Sequence, residues 1–576
     1  MTGVQTCALP ISSVVDGDTV QVRTSAVAPV SVGVTKCITI ENYPGDLPIL
    51  DGNSAYVAIQ FLSGSTGSVV RGLTFNNYNS ALKQISATIA LTIEDCVFEN
   101  VSYSLTATVT VENCSFTGGT YALSSCPDSV VRNSSFVNVG ACAKNSPNVS
   151  FDGCTFTADQ SSKRVVETCN GASMTNCETT GWQYIFVGSS DVIVSNTLFR
   201  DCSYIAFCNA HRLVGNSLTF ENVKYGVYNS DDISLTTVIS NGGIYNDYFV
   251  SGCNNADING LTSDGMKTVM SSCNNAVLIN AVIRGAINYS IAGGLNVEIY
   301  DSVFADGQCA ASSNTDILFN RCVFDNLTTS TNWGAFYHGD GEMVNCTFVN
   351  NNAVTVYTET DDSLIFDSCI FWNNTRLNNA LFSSNVLVQY SLLPNVDRPE
   401  TEIVEELPYV CGEGNVIGSD PLFVDTSSGD YRLASGSPCI DAGNPLFAVP
   451  AGGGSIVDMG AYEYTHISPV IIQHPISQTA QIGESVSFSV IAESNLPLFY
   501  QWRFNCIDIS EAVASVLIIP EVSISDYGQY DCVVSNANGS VVSNTAVLDY
   551  IDDLIIDHRE NHDWVSVIQR AVSGDH

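Results

Sequence analysis

Positive charge is scarce in this sequence. Its 576 residues carry 20 Lys and Arg against 59 Asp and Glu, a formal net charge of −39 with a pI near 4.1. Such acidity repels nucleic acid and anionic membranes. It also argues against a polyuronate substrate unless metal ions mediate binding. Charged residues of both signs make up only 14% of the chain, yet no run of about 18 apolar residues occurs, so no transmembrane helix is expected. Between 60 and 390 no window of 12 or more residues carries a clear helical apolar stripe, which turns the reading away from helical folds. Cys-x-x-Cys pairs of the zinc-binding kind are missing as well.

What is present is a repeat. A phenylalanine returns about every 21 residues, often with Cys or Ser two places ahead, as in LTIEDCVFEN (91–100), VTVENCSFTGG (109–119), NVSFDGCTFT (148–157), DILFNRCVFDN (316–326) and SLIFDSCIFWNN (363–374). The landmark position falls at Phe75, Phe98, Phe116, Phe136, Phe156, Thr179, Phe199, Phe220, Ile239, Ser263, Ile283, Phe304, Phe324, Phe348 and Phe371. Each unit holds a short alternating stretch such as Leu91–Phe98, followed by Asn, Asp or Gly. The alternation is strand periodicity and the punctuation is turn chemistry. A unit of about 21 residues is too short for a helix pair or a propeller blade and suits one rung of a parallel β-helix. The expected fold is all-β: a right-handed parallel β-helix of about 15 rungs, roughly 70 Å long at ~4.8 Å per rung. A leucine-rich repeat is the nearest alternative, but its Leu-x-x-Leu-x-Leu frame is absent.

This register reassigns the cysteines. Of 21, setting Cys7 aside leaves an even 20, which in a secreted protein suggests ten disulfides. Their positions argue otherwise. Cys96, Cys114, Cys154, Cys322, Cys346 and Cys369 stand two before the landmark. Cys126, Cys169, Cys208, Cys253 and Cys273 form a second column, in which Ser146, Ser190 and Ser230 take the same slot. A slot that accepts Ser or Cys is a small-residue packing slot, and thiols stacked on parallel strands have poor geometry for bridging.

The two ends read as interrupted. Residues 1–11, MTGVQTCALPI, match the translation of a common sequencing-adapter read-through and are excluded as an artefact. Residues 12–466 are assigned to the β-helix. Residues 551–576 read as a linker and the truncated start of a further module, and the signal peptide is expected to be missing because the chain is truncated.

At 420 the pattern changes to DPLFVDTSSGDYRLASGSPCIDAGNP (420–445) and DMGAYEY (458–464). These segments resemble the closing part of bacterial secreted β-helix proteins of the pectin-lyase-like fold, the choice-of-anchor Q type. From the residues alone, 420–466 is a cap over the open end of the solenoid. Cys439 stands where Ala is usual in that group, and Cys411 is a candidate partner for it. The acidic turns look like a calcium site, but Asp-Gly turns are mostly just turns, and no cofactor is expected. Residues 467–550 form a separate module. Trp502 on an alternating strand, followed by Asp526-Tyr527-Gly528-Gln529-Tyr530-Asp531-Cys532, resembles the immunoglobulin signature of bacterial immunoglobulin-like domains, with Tyr530 as the corner tyrosine. Val490 stands where the partner cysteine would be, so Cys532 has no bridge, and Trp502 is expected to pack against a thiol and Val490.

Chemistry is hard to find. Glycoside hydrolysis needs paired carboxylates. Asp231-Asp232 is the suggestive pair, and His338-Gly339-Asp340 holds the single His-Gly. About five rungs, or roughly 25 Å, separate them, and Asp231-Asp232 falls in a turn slot. Lys224, Lys267, Arg284 and Arg321, the candidate lyase bases, are scattered singly. His211 is isolated. Tyr121, Tyr184, Tyr204, Tyr225, Tyr228, Tyr245, Tyr248 and Tyr289 could stack on sugar rings where they point outward, but inward packing is expected to explain at least half of them. The reading that results is a non-catalytic secreted or cell-surface bacterial protein, a monomeric module of a longer chain that binds an extracellular polysaccharide or cell-surface glycan or acts as an adhesin. A polysaccharide lyase or glycoside hydrolase, and a purely structural repeat, are the alternatives.

Overall fold

The computed structural model describes residues 15–22, 32–52, 57–84, 89–159, 163–242, 247–328, 334–352, 354–357, 363–374, 386–394, 410–465, 468–494, 496–536 and 539–550. The segments 1–11 and 551–576 lie outside them. Strand dominates, and the one helical element among the described residues is a 3-10 turn at Ile524–Asp526. The chain divides into two compact units, which part near Pro450 and Tyr464.

The first unit is a parallel β-solenoid of about 16 rungs. Each rung lays down three short strands, and each strand pairs in parallel with its counterpart one rung earlier and one rung later. The landmark face is built from strands such as Val97–Glu99, Ser115–Thr117 and Ser135–Val137. The second face comprises strands such as Tyr121–Ser124, Tyr184–Val187 and Tyr225–Tyr228. The third face begins with strands such as Ala90–Glu94 and Thr108–Glu112. In a three-residue landmark strand the middle side chain points in and its neighbours point out, so Phe98 pairs with Phe75 and Phe116 in one inward column. Ring centroids there are 4.7–5.1 Å apart and nearly coplanar in orientation. That is the strand spacing expressed in side chains, and each stacked pair adds about 0.5–1.5 kcal/mol beyond burial.

The column corrects one landmark. Phe220 pairs with Ser240, not Ile239. Ser240 is 2% exposed and Ile239 is 42% exposed. Backbone register outweighs the hydrophobicity of a single residue, because a shift of one place would turn every neighbour inside out.

The Ser/Cys slots prove to be hydrogen-bonding devices as well as small spaces. The buried N–H of Cys126 donates to Ser146 Oγ at 3.0 Å, that of Ser146 to Cys169 Sγ at 3.2 Å, and that of Cys169 to Ser189 Oγ at 3.0 Å. In the column ahead of the landmark, the Cys114 N–H donates to Ser134 Oγ at 3.0 Å and the Cys369 N–H to Ser391 Oγ at 3.0 Å. Ser and Cys interchange because both are small and both accept. The second column runs through Ser189 and Ala210, so Ser190 and Cys208 are displaced from the slots expected for them; Cys208 is half-buried on a strand. Cys96, Cys114, Cys154, Cys322, Cys346 and Cys369 are buried free thiols.

The closing segment packs on the last rungs of the solenoid. It forms an antiparallel hairpin, Phe423–Asp425 with Asp430–Leu433, and lies along the outer side of the last landmark strands. Tyr431 and Ala461 bury the outward Val323 and Val349, while Leu433, Cys439 and Met459 bury Ile370 and Leu392. The Ala461 N–H donates to Thr347 Oγ1 at 2.9 Å, and the Gly460 N–H to the Ser368 carbonyl at 2.7 Å. Gly460 has φ +92°, and a Cβ there would meet Ile370 and Thr347 below 3 Å, so the close approach requires glycine. Cys439 is a buried free thiol rather than half of a bridge; the side chain of Cys411 lies outside the described residues.

The second unit is a β-sandwich with its own core of Phe488, Val490, Trp502, Tyr530 and Cys532. Trp502 sits opposite Cys532 across paired strands, and its indole N–H donates to the Ala514 carbonyl at 2.9 Å. The Tyr530 hydroxyl donates to the Asp526 carbonyl at 2.7 Å, which is the corner arrangement. Cys532 is a free thiol.

Candidate ligand-binding face

The sequence-derived catalytic candidates do not meet. Asp231 and Asp232 each start a side-chain ladder. Asn254 Nδ2 donates to Asp231 at 2.9 Å and Asn274 Nδ2 to Asn254 at 3.1 Å; Asn255 Nδ2 donates to Asp232 at 2.9 Å, continuing through Asn275 and Asn296. Asp232, Asn255, Asn275 and Asn296 all have φ of 50–55°, the left-handed conformation that Asn and Asp tolerate best. His211 Nδ1 lies 3.4 Å from Asp231, from the preceding rung. Asp340 accepts the Ser363 N–H at 2.7 Å. His338 belongs to the strand Gly334–Val344, and its side chain is outside the described residues. Pairing of Asp231 with Asn254, Asn274, Leu295 and Thr315 in turn places Asp340 about five rungs away, or ~24 Å, too far for both to act on one bond.

The expected isolation of the basic candidates is corrected. Lys224 and Lys267, two rungs apart, both pair with Asp247 between them, Lys224 at 3.6 Å. Arg284 pairs with Asp306 at 3.1 Å, and Arg321 holds Asp301 through two nitrogens at 2.6 and 2.7 Å. In the closing segment the carboxylates serve the backbone. Asp441 accepts from the Ser455 and Ile456 N–H groups, and Asp458 accepts from Asp441. Among the described residues no group of three or more His, Cys, Asp or Glu is placed to hold a metal.

The tyrosines behave differently from expectation. Tyr121, Tyr184, Tyr204, Tyr225, Tyr228, Tyr248 and Tyr289 are all outside the solenoid core, half-buried or exposed, and Tyr245 lies outside the described residues. They stand on the second face, whose strands place two consecutive residues inward and one outward at each end. Four make a continuous ladder. Centroids of Tyr184 and Tyr204 are 5.3 Å apart, those of Tyr204 and Tyr225 6.0 Å, and those of Tyr225 and Tyr248 5.6 Å. Tyr228 adds an edge contact to Tyr225 at 5.5 Å. The Arg164 guanidinium lies over Tyr184 at 5.8 Å, and the Lys224 ammonium lies 5.4 and 5.5 Å from Tyr204 and Tyr225, within cation–π range. Burial pushes the Tyr184 and Tyr225 hydroxyls above their ordinary value, and Asp247 adds to the shift at Tyr225. The Tyr184 and Tyr225 phenols therefore stay neutral.

Residues 468–536 match the family model of the immunoglobulin domain. Solved structures to which the chain is similar include immunoglobulin-domain proteins. The chain is similar to immunoglobulin domains 1–5 of Sidekick-1, at 24% identity over 15% of this chain and 18% of that one, TM-score 0.14. It is similar to the I-band fragment I67–I69 from titin, at 25% identity over 15% and 32%, TM-score 0.14. The extracellular domains 3–5 of Drosophila OTK match at 18% identity over 15% and 33%, TM-score 0.14. The chain spans about a fifth of the first of these structures. No curated protein matches the chain.

Proposed function

We propose that this chain is a non-catalytic, glycan-binding part of a secreted or cell-surface protein, in which the solenoid carries the binding face and the immunoglobulin module acts as a spacer. The observation that carries this reading is the outward ladder Tyr184–Tyr204–Tyr225–Tyr248. Tyrosine combines a rigid apolar face with a polar tip, which suits sugar rings bearing C–H surfaces and hydroxyls. Successive second-face strands pair in parallel and in register, so the face offers repeated positions to a polymer. Two features support a non-catalytic role: the separation of Asp231 from Asp340, and the engagement of each in backbone or ladder hydrogen bonds. The resemblance of 420–464 to bacterial secreted β-helix proteins supports the extracellular and bacterial parts of the reading. The test is a polysaccharide array probed with the whole chain and with a Tyr204→Ala/Tyr225→Ala variant. Binding by the parent that falls at least tenfold in the variant is the expected result. Absence of binding by the parent, or equal binding by both, overturns the proposal.

A further inference from the structure

The whole chain contains six lysines, and five of them stand on or at the edge of the tyrosine face. Lys83 and Lys144 are outward on second-face strands, paired in register with Thr106 and Ser124. Lys163, Lys224 and Lys267 each lie at the start of a second-face strand, next to Arg164, Tyr225 and Thr268. The sixth, Lys36, sits in the turn before Thr39–Asn42. Nothing in the fold requires this. The other two faces carry no lysine on their described strands; carboxylates such as Glu94, Glu112 and Glu298 on the third and Glu99, Glu178 and Glu221 on the landmark face outnumber the arginines there, Arg71 and Arg132 on the third and Arg200 and Arg284 on the landmark face.

The cations are positioned by the aromatics as much as by acids. Lys144 donates to the Tyr121 hydroxyl at 3.2 Å, lies 5.0 Å from that ring's centroid, and is 3.5 Å from Glu167. Arg164 shares Glu167 at 3.2 Å, Lys163 pairs with Asp159 at 3.0 Å, and Lys224 and Lys267 share Asp247. Five cationic groups are thus engaged by three carboxylates, and Lys83 adds a sixth charge. A strip with an excess of ammonium groups therefore runs along a molecule whose net charge is −39. Total charge sets long-range repulsion, but contact affinity follows the local field.

We infer that the tyrosine face takes an anionic polysaccharide, one carrying carboxylate or sulfate groups at intervals along its backbone. Tyrosines take the sugar rings, and lysines take the anionic groups as compact, well-hydrated point charges, a mode suited to either oxyanion. Counted in rungs, the cations fall at Lys83, three rungs on at Lys144, one further at Lys163 and Arg164, three further at Lys224 and two further at Lys267. That spans ~43 Å, so the ligand is a polymer rather than a single sugar, and its charges need not sit on every unit. The inference revises the expectation from net charge alone, which spoke against acidic polysaccharides.

This inference rests on the glycan-binding reading above, and one experiment separates the two. The probes are dextran, carboxymethyl dextran and dextran sulfate of matched length, titrated into the whole chain at two salt concentrations, alongside a panel of natural neutral, uronate-containing and sulfated polysaccharides. The expected result is at least tenfold tighter binding of carboxylated or sulfated polymer than of neutral polymer, weakening with salt. The carboxymethyl and sulfate arms show which oxyanion is preferred. Lys224→Gln/Lys267→Gln should lose at least tenfold of the anionic binding and flatten its salt dependence. Lys36→Gln should change neither, and thermal melts should confirm that both variants are folded. Equal binding of neutral and anionic polymers, or unchanged binding by the folded double variant, overturns the anionic assignment and leaves glycan binding standing. No binding to any polysaccharide overturns both.

Discussion

Asn254 Nδ2 and Asp231 Oδ1 lie 2.9 Å apart across one rung boundary, and the same amide's oxygen accepts from Asn274 in the next rung. The aspartate is the acceptor that starts a chain of amides, a role requiring no second carboxylate. Replacing Asp231 by Ala should cost about 1 kcal/mol, as expected for one partly exposed charge-assisted hydrogen bond. Polysaccharide binding should be unchanged. A urea titration and one binding isotherm check both points.

The register around Ile239 makes a sharper prediction. Ile239→Ser should shift stability by no more than about 0.5 kcal/mol, the usual size for an exposed substitution. Val238→Ser, one residue earlier and 1% exposed, should cost several-fold more, because it leaves a cavity and buries a hydroxyl. Equal costs for the two would show that the inward column had been misplaced.

In the Ser/Cys slots the side-chain acceptor matters more than the volume. Ser146→Ala deletes the acceptor of the buried Cys126 N–H and should cost about 1–3 kcal/mol, the price of an unsatisfied buried donor. Ser146→Cys, which keeps a weak acceptor, should cost less. Denaturant midpoints of the two variants decide the order.

Glu463 gives the closing segment a pH dependence. Its Oε2 accepts the Asp458 N–H at 3.1 Å, while Oε1 is buried without a hydrogen-bond partner. Burial first, and then Asp458 and Asp441, push its carboxyl up from 4.5 to about 7. The folded state therefore binds a proton that the unfolded chain has released. The protonated carboxyl's contribution is complete below about pH 4.5 and is lost as pH rises through about 7. Melting of the solenoid should fall across that window, and Glu463→Gln should remove this component of the slope. A slope identical in parent and variant would refute the assignment.

The solenoid was legible in the sequence because one large side chain marks each rung. Phe98, Phe116 and Phe136 are one wall of the core, and their cysteine and serine neighbours repeat with them. Single-residue slips arose where the marker is small or the gap irregular. Ser240 was passed over for Ile239, Ser189 for Ser190, and Ala210 for Cys208. Ser240 lies in the 11-residue strand Asp231–Asn241 and Ser189 and Ala210 lie in turns after strands, so no large inward side chain marks these slots and pattern alone cannot reject a small shift. The binding face was harder to read for a different reason. Tyr184-Ile185-Phe186-Val187 and Tyr248-Phe249-Val250-Ser251 have two adjacent inward residues, which hides the alternation and makes an outward tyrosine look like core. The convergence of Lys224 and Lys267 on Asp247 could not be read at all, since those residues are separated by whole rungs. The recurring Tyr at the first place of a strand was the available signal.

The lateral position of the closing segment gives the rod a mechanical direction. Rungs of a solenoid bind only their neighbours, so such a molecule ordinarily frays from either end. Here Tyr431, Leu433, Met459 and Ala461 tie Val323, Val349, Ile370 and Leu392 of successive rungs to one another from outside. Under tension or partial denaturation those rungs can only leave as a group, after the strap has been stripped away. Unravelling is thereby directed to the far end of the rod, and the rungs beside the strap behave as a single ratcheted block.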